Sequence, residues 1–439
     1  MSSLLPAVRV LFVAAVCLSA AAALGDEFEQ PPISYSNSQP TDRVSQLIES
    51  LAKGEAKLPH EERFGYLRPL LKELGVPESS QTLVFSKTSL QRQRISPRTP
   101  RALYFSDDVY VGYCQDGDVL EIAAVDPQLG AVFYAIDQND APVPRIVRQT
   151  DNCLICHGSS QTKNVPGFVV RSVFVNPTGL PLLAAGTKRV NQTTPIKDRW
   201  GGWYVTGTHG EQQHHGNLVI DSRDVPSDLD VSPNMNLLDV SDRFDAEEYL
   251  TPHSDIVALM VLEHQAEAHN HLIAAGFGTR QALHHQAALN RELKEPEGTL
   301  WDSTKSRIKS VCEPLVEYLL FSDEAKISHR ITGTTKFADD FAAQGPRDSQ
   351  GRSLRDLDLE RRIFKHPCSY LIYSESFAAL PEEAKEYVFR RLWEVLNEKD
   401  QTPAFAHLSK EDRQAIREIL LETLPELPDY WQAASKTAG

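Results

Sequence analysis

Apolar residues recur at helical spacing near both ends of the chain and at strand spacing between them. Pro40-Thr41-Asp42 precedes Val44, Leu47, Ile48 and Leu51, and Leu67, Leu70, Leu71 and Leu74 repeat that spacing before Gly75. Residues three and four apart share a helix face, so two amphipathic helices are predicted. From about Thr82 the pattern changes to β-branched and aromatic residues punctuated by turn residues. Residues 103–113, 119–125 and 131–136 are short runs separated by Asp116-Gly117-Asp118 and by residues 126–130, and they predict a meander of strands. Residues 168–175, 182–185, 202–207 and 217–220 extend that expectation. Beyond Thr251-Pro252 helical spacing returns over 254–275, 382–396 and 411–424, the last opened by Ser409 and Asp412 in the positions of a capping box. Residues 339–354, rich in Gly, Ser, Arg and Asp, read as a surface loop. The predicted fold is α+β, with a helical segment over 26–80, a β-rich centre over 81–250 and a helical region over 251–439.

The first 25 residues stand apart from this pattern. Arg9 is followed by an apolar run over 10–24, no acidic residue occurs before Asp26, and Ala23-Leu24-Gly25 supplies small residues at a cleavage position. Together these predict a secretory signal peptide and an exported, periplasmic protein. Val16 before Cys17 disfavours a lipoprotein anchor. No later segment is long and apolar enough to predict a membrane span. Without Arg9, 44 of the 45 basic residues face 60 acidic ones, so the mature chain carries a formal charge of −16. Nucleic acid is therefore not an expected partner.

Export gives the cysteines their meaning. Of six, Cys17 belongs to the leader and two belong to a motif described next, which leaves Cys114, Cys312 and Cys368. An odd remainder permits at most one disulfide within the chain.

Cys153-Leu154-Ile155-Cys156-His157 has the spacing of c-type haem attachment. Two thiols add to the two vinyl groups of the porphyrin, and the adjacent imidazole reaches the iron as proximal ligand. A zinc site would want a second ligand pair of comparable spacing, and the other cysteines are isolated. A thioredoxin-like dithiol would open a helix after a buried strand, whereas Gly158-Ser159-Ser160 follows here. One covalent haem c is the expected cofactor.

With Gly158 included, the segment resembles the C-x-x-C-H-G pattern of c-type cytochromes, which implies haem attachment. Small soluble cytochromes c carry the motif on an N-terminal helix and take a methionine from a later segment, yet about 150 residues precede it here and strands are predicted around it. The layout is also similar, more weakly, to exported PAS-like haem c sensor domains, in which the motif lies beside strands such as 169–175 and a turn like Asn176-Pro177-Thr178-Gly179.

Several residues are candidates for the rest of a haem pocket. His209, His214 and His215 lie near the aromatic run Trp200-Gly201-Gly202-Trp203-Tyr204 and, sharing one run of short strands with the motif, are preferred as sixth ligand. Met260 is the competing choice, and the ordinary reading of the histidines is a solvated turn. On the helix predicted from residue 254, Met260, His264, Glu267 and His271 share a face that suits a second metal, a proton relay or a plain polar surface. Lys87, Arg92, Arg94, Arg98 and Arg101 form a run free of acidic residues. Arg98 and Arg101, with Arg148 and its neighbour Arg145 just before the motif, are candidates to hold haem propionates, against the alternative of an exposed loop.

No nucleophile elbow, phosphate loop or two-metal cluster is legible. Two functional classes remain. The first is electron transfer between redox partner proteins. The second is a peroxidase-like enzyme or a small-ligand or redox sensor with an open sixth iron position.

Overall fold

In the computed structural model, residues 27–435 are described, except 222–224, 227 and 297. The expected leader, residues 1–25, lies outside them.

Six antiparallel strands form one sheet in chain order: β1 (Thr82–Val84), β2 (Arg101–Phe105), β3 (Val109–Tyr113), β4 (Val119–Asp126), β5 (Gly130–Asp137) and β6 (Ile146–Gln149). The run over 103–113 is thus a hairpin rather than one strand. Ser106-Asp107-Asp108 interrupts its apolar residues, and the Ser106 N–H closes the turn onto the Val109 carbonyl at 2.9 Å.

Register sorts the side chains into two faces, because directly opposed residues project the same way. Tyr104, Val111, Ile122, Tyr134 and Arg148 lie across one face. The N-terminal layer covers it, with helices α1 (Arg43–Lys53) and α2 (Leu67–Glu73) where helical spacing predicted them. Asp42 ties this layer to the sheet. One of its carboxylate oxygens caps α1 through the Val44 and Ser45 N–H groups, and the other accepts from the Tyr134 hydroxyl at 2.5 Å.

Leu103, Gly112, Glu121, Ala135 and Val147 lie across the opposite face. At one end of this face, Phe105, Tyr110 and Phe133 are buried. There the side chain of Gln265 bonds Tyr110 Oη and the Ser106 carbonyl, both at 2.7 Å. At the other end, Leu103, Glu121, Ala123, Ala135 and Val147 remain half-exposed.

After β6 come the one-turn helix α3 (Leu154–His157), the short pair β7 (Arg171–Ser172) and β8 (Lys188–Arg189), and then the 38-residue helix α4 (Ile256–Leu293). The expected helix over 254–275 is the first half of α4. Its continuation passes Gly276 and Gly278, and a Cβ on Gly278 would lie 2.7 Å from Val311. Close packing on α5 (Asp302–Leu319) therefore carries the helix past two weak helix formers. The pattern analysis missed α5, which holds Pro314 in its interior.

Further differences follow from the same cause. Of the strands expected over 168–220, only the run over 168–175 holds one, the two-residue β7, whose partner β8 lies outside every expected run, and 182–185 turns as a single 3-10 helix, Leu183–Ala185. The rest is irregular backbone satisfied by other means: Asn217 bonds both the N–H and the carbonyl of Val205, and Phe85 donates to Gly202. The loop expected over 339–354 begins inside helix α6 (Phe337–Ala342). Helices α7 (Glu375–Ala378), α8 (Glu382–Leu396), α9 (Lys410–Thr423) and α10 (Tyr430–Ser435) complete the α+β fold, with the Ser409–Asp412 capping box present. Cys114, Cys312 and Cys368 are buried free thiols. No helix among the described residues is long and apolar enough to cross a membrane.

Candidate functional site

Helix α3 places the motif. The His157 N–H reaches the Cys153 carbonyl at 2.9 Å, one α-helical turn, so Cys153, Cys156 and His157 share one side of it. Leu154 is buried as the anchor, while Ile155 is 75% exposed and Cys156 is exposed. The thiols of Cys153 and Cys156 are both free. Burial pushes the Cys153 thiol up to about 11, so it is protonated at neutral pH.

The loop after α3 folds back to fix the imidazole. The His157 carbonyl accepts from the Gly167 N–H at 2.8 Å and from Thr162 Oγ1 at 3.1 Å. His157 Nδ1 lies 2.8 Å from the Gly167 carbonyl, which can only accept, so Nδ1 carries the proton and Nε2 presents a lone pair. Asn270 on α4 holds the next residue in place. It accepts from the Phe168 N–H and donates to the Phe168 carbonyl, both at 2.8 Å. Burial lowers the pKa of His157, keeping the ring neutral. A neutral imidazole oriented by a backbone acceptor on its far nitrogen is the form that coordinates a metal.

The His157 ring lies 4.9 Å from Phe133, on the half-open face of the sheet. Beside Phe133 on that face stand Ala123, its cross-strand partner, and Ala135, two residues along β5. The neighbouring row of the same face runs Leu103, Gly112, Glu121, Ala135 and Val147. Arg101 and Glu121 form an ion pair at 2.5 Å on this face, and both charges act on His157 and Cys153. A Cβ at Gly112 would run into the Arg101 guanidinium, so the glycine makes room for it. Arg101 Nε is buried without a partner. A free Nε2, two free thiols on the same helical turn and a nearby guanidinium fit a haem bound through two thioethers.

The other predicted residues lie elsewhere. Arg148 is on the opposite face of the sheet, donating to the Ser38 and Tyr35 carbonyls at 2.7 and 2.8 Å with its guanidinium over the Tyr35 ring. Arg98 is exposed and donates to the Arg243 carbonyl at 3.2 Å. His209 and His214 are buried with ring centres 4.8 Å apart, and His214 packs against Trp200 at 5.1 Å, while His215 packs against Phe174 at 4.5 Å. This group meets α4 through the Arg199–Glu263 ion pair, 2.8 Å long. The motif meets α4 at Asn270, roughly 10 Å further along the helix axis. Met260 is buried in the core. His264 bonds Gln192 and Ser369 at 2.6 and 2.8 Å. Glu267 accepts from Lys163 and Arg189 at 3.1 and 3.4 Å and lies 3.6 Å from His271. Among the described residues no group of three or more His, Cys, Asp or Glu side chains is placed to hold a metal ion.

Sequence reasoning missed Gly167, Asn270 and Phe133, because nothing local marks which face of the sheet stays open. No family model, curated protein or solved structure matches the chain.

Proposed function

We propose that this chain is an exported mono-haem c-type cytochrome, with one haem bound covalently through Cys153 and Cys156 and His157 as its proximal ligand. Its role is electron transfer with redox partner proteins. The observation that carries the reading is the His157 imidazole, fixed by Gly167 with Nε2 free, on the same helical turn as two unpaired thiols. A bound haem supplies one-electron chemistry. The chain orients the ligand ring through Gly167 and Asn270 and sets the Arg101–Glu121 pair near it. Exposed Cys156 and Ile155 put the thioether edge at the surface, where a partner can approach.

The test is expression with c-type maturation, followed by haem staining on a denaturing gel. A covalent haem band is expected, lost in the Cys153→Ala, Cys156→Ala double variant. An undiminished band in that variant overturns the reading. His157→Ala is expected to keep covalent haem and lose the native iron spectrum. A second reading, a haem enzyme or small-ligand sensor, gains support from the placement of His209, His214, His215 and Met260 away from the motif.

A further inference from the structure

We infer that the iron position opposite His157 is open to an exogenous diatomic ligand, because the other imidazoles and thioethers of the mature chain are held elsewhere. The inference rests on the haem reading above.

Two of the three preferred sixth ligands are blocked chemically as well as by position, and the third, His215, packs against Phe174 with ring centres 4.5 Å apart, beside His214. His209 Nε2 accepts from the Asn236 N–H at 3.1 Å, and His214 Nδ1 accepts from the Gly216 N–H at 2.9 Å. A neutral imidazole has one lone-pair nitrogen, and in both rings a backbone donor occupies it. The remaining nitrogens, His209 Nδ1 and His214 Nε2, therefore carry protons and cannot coordinate a metal; both are buried and unpartnered.

On α4, His264 is bonded at both nitrogens. His271 is stacked on Tyr318 with ring centres 4.7 Å apart. His269 is linked to the motif through aromatic rings. Its Nε2 bonds the Asp107 carbonyl at 2.8 Å, and its ring connects to His157 only through Phe168 and Phe133. Bringing it to His157 would displace buried Phe168 and strip the Asn270 clamp.

Of the seven remaining histidines, His60 packs on Tyr66 in the N-terminal layer and His253 follows Thr251 before α4. The other five belong to α4's far end and the C-terminal region. Met260 is buried in the core, and Met235 lies in the segment that binds His209. Cys114, another sulfur near Arg101 and Glu121, is kept protonated by burial, which pushes its thiol up to about 12.

An iron with one strong protein ligand is high-spin when ferric and takes carbon monoxide when ferrous without displacing a side chain. The experiment uses the purified holoprotein and follows absorption and electron paramagnetic resonance. A high-spin ferric signal is expected, converting to low-spin with one equivalent of bound cyanide per haem, and direct carbon monoxide binding to the ferrous form. His209→Ala and His214→Ala are expected to leave the ferric signal unchanged. A low-spin ferric spectrum without added ligand overturns the open position, and its loss in one of those variants would name the ligand. Absence of covalent haem on a denaturing gel overturns the haem reading instead, so the two failures are distinguishable.

Discussion

The carbonyl oxygen of Gly167 lies 2.8 Å from Nδ1 of His157, ten residues earlier in the chain. That contact assigns the tautomer of the ring, and the tautomer decides which nitrogen is available. Gly167 is held in turn by its neighbour Phe168, whose N–H and carbonyl are both bound by Asn270.

Asn270→Ala is expected to cost about 1–3 kcal/mol, because it leaves the buried Phe168 groups unpaired. It also loosens the loop that orients His157, so the iron spectrum should broaden or shift while covalent haem is retained. Denaturant unfolding and absorption spectra check both; a destabilised variant with an unaltered spectrum would show that Asn270 does not position the ring.

Ala135→Trp places an indole beside Phe133 and the His157 ring. Ala135 is only partly exposed, so the added bulk should cost about 1–3 kcal/mol in folding of the chain before haem attachment. Haem loaded per chain should fall sharply, as read by pyridine haemochrome. Full loading with a native spectrum would mean the haem lies elsewhere.

Arg148→Ala separates structure from cofactor binding. Removing a guanidinium that donates to two carbonyls and stacks on Tyr35 should destabilise the fold by about 1.5–3 kcal/mol. The haem spectrum should stay as in the parent. A spectral or potential change without loss of stability would mean that Arg148 acts on the haem.

Acid should weaken the fold through its buried imidazoles. Burial lowers His264 to about 3 and His269 to about 4, from an ordinary 6.5. Between those limits the unfolded chain binds protons that the folded chain does not. Their contribution is therefore complete above pH 6.5 and is lost as pH falls, by about 1.4 kcal/mol per pH unit for each ring. Urea midpoints between pH 7.5 and 5 should fall accordingly, and His269→Gln should flatten the slope by about one proton. An unchanged slope in that variant would mean that His269 is protonated in the folded protein.

Local chemistry made part of this protein legible in its sequence. Asp42 before an i, i+3, i+4 pattern, Ser409 with Asp412, and alternating apolar runs around Asp-Gly turns each act through near neighbours, so α1, α9 and the β3–β5 meander follow from them. The motif at Cys153, Cys156 and His157 is likewise a matter of spacing along one helical turn. The tertiary structure alone decided the rest. Helix α4 runs past Gly276 and Gly278 because Val311, far along the chain, packs against it. Residues 202–220 fail to form strands because side chains such as Asn217 take the backbone partners a sheet would have supplied. Arg101 stands by the motif while Arg148, closer in sequence, faces away, since a strand alternates its side chains and only the covering layers determine which face is buried. The free nitrogen of each histidine depends on backbone groups brought to it from elsewhere in the chain, Gly167 for His157 and Asn236 for His209, which no local pattern encodes.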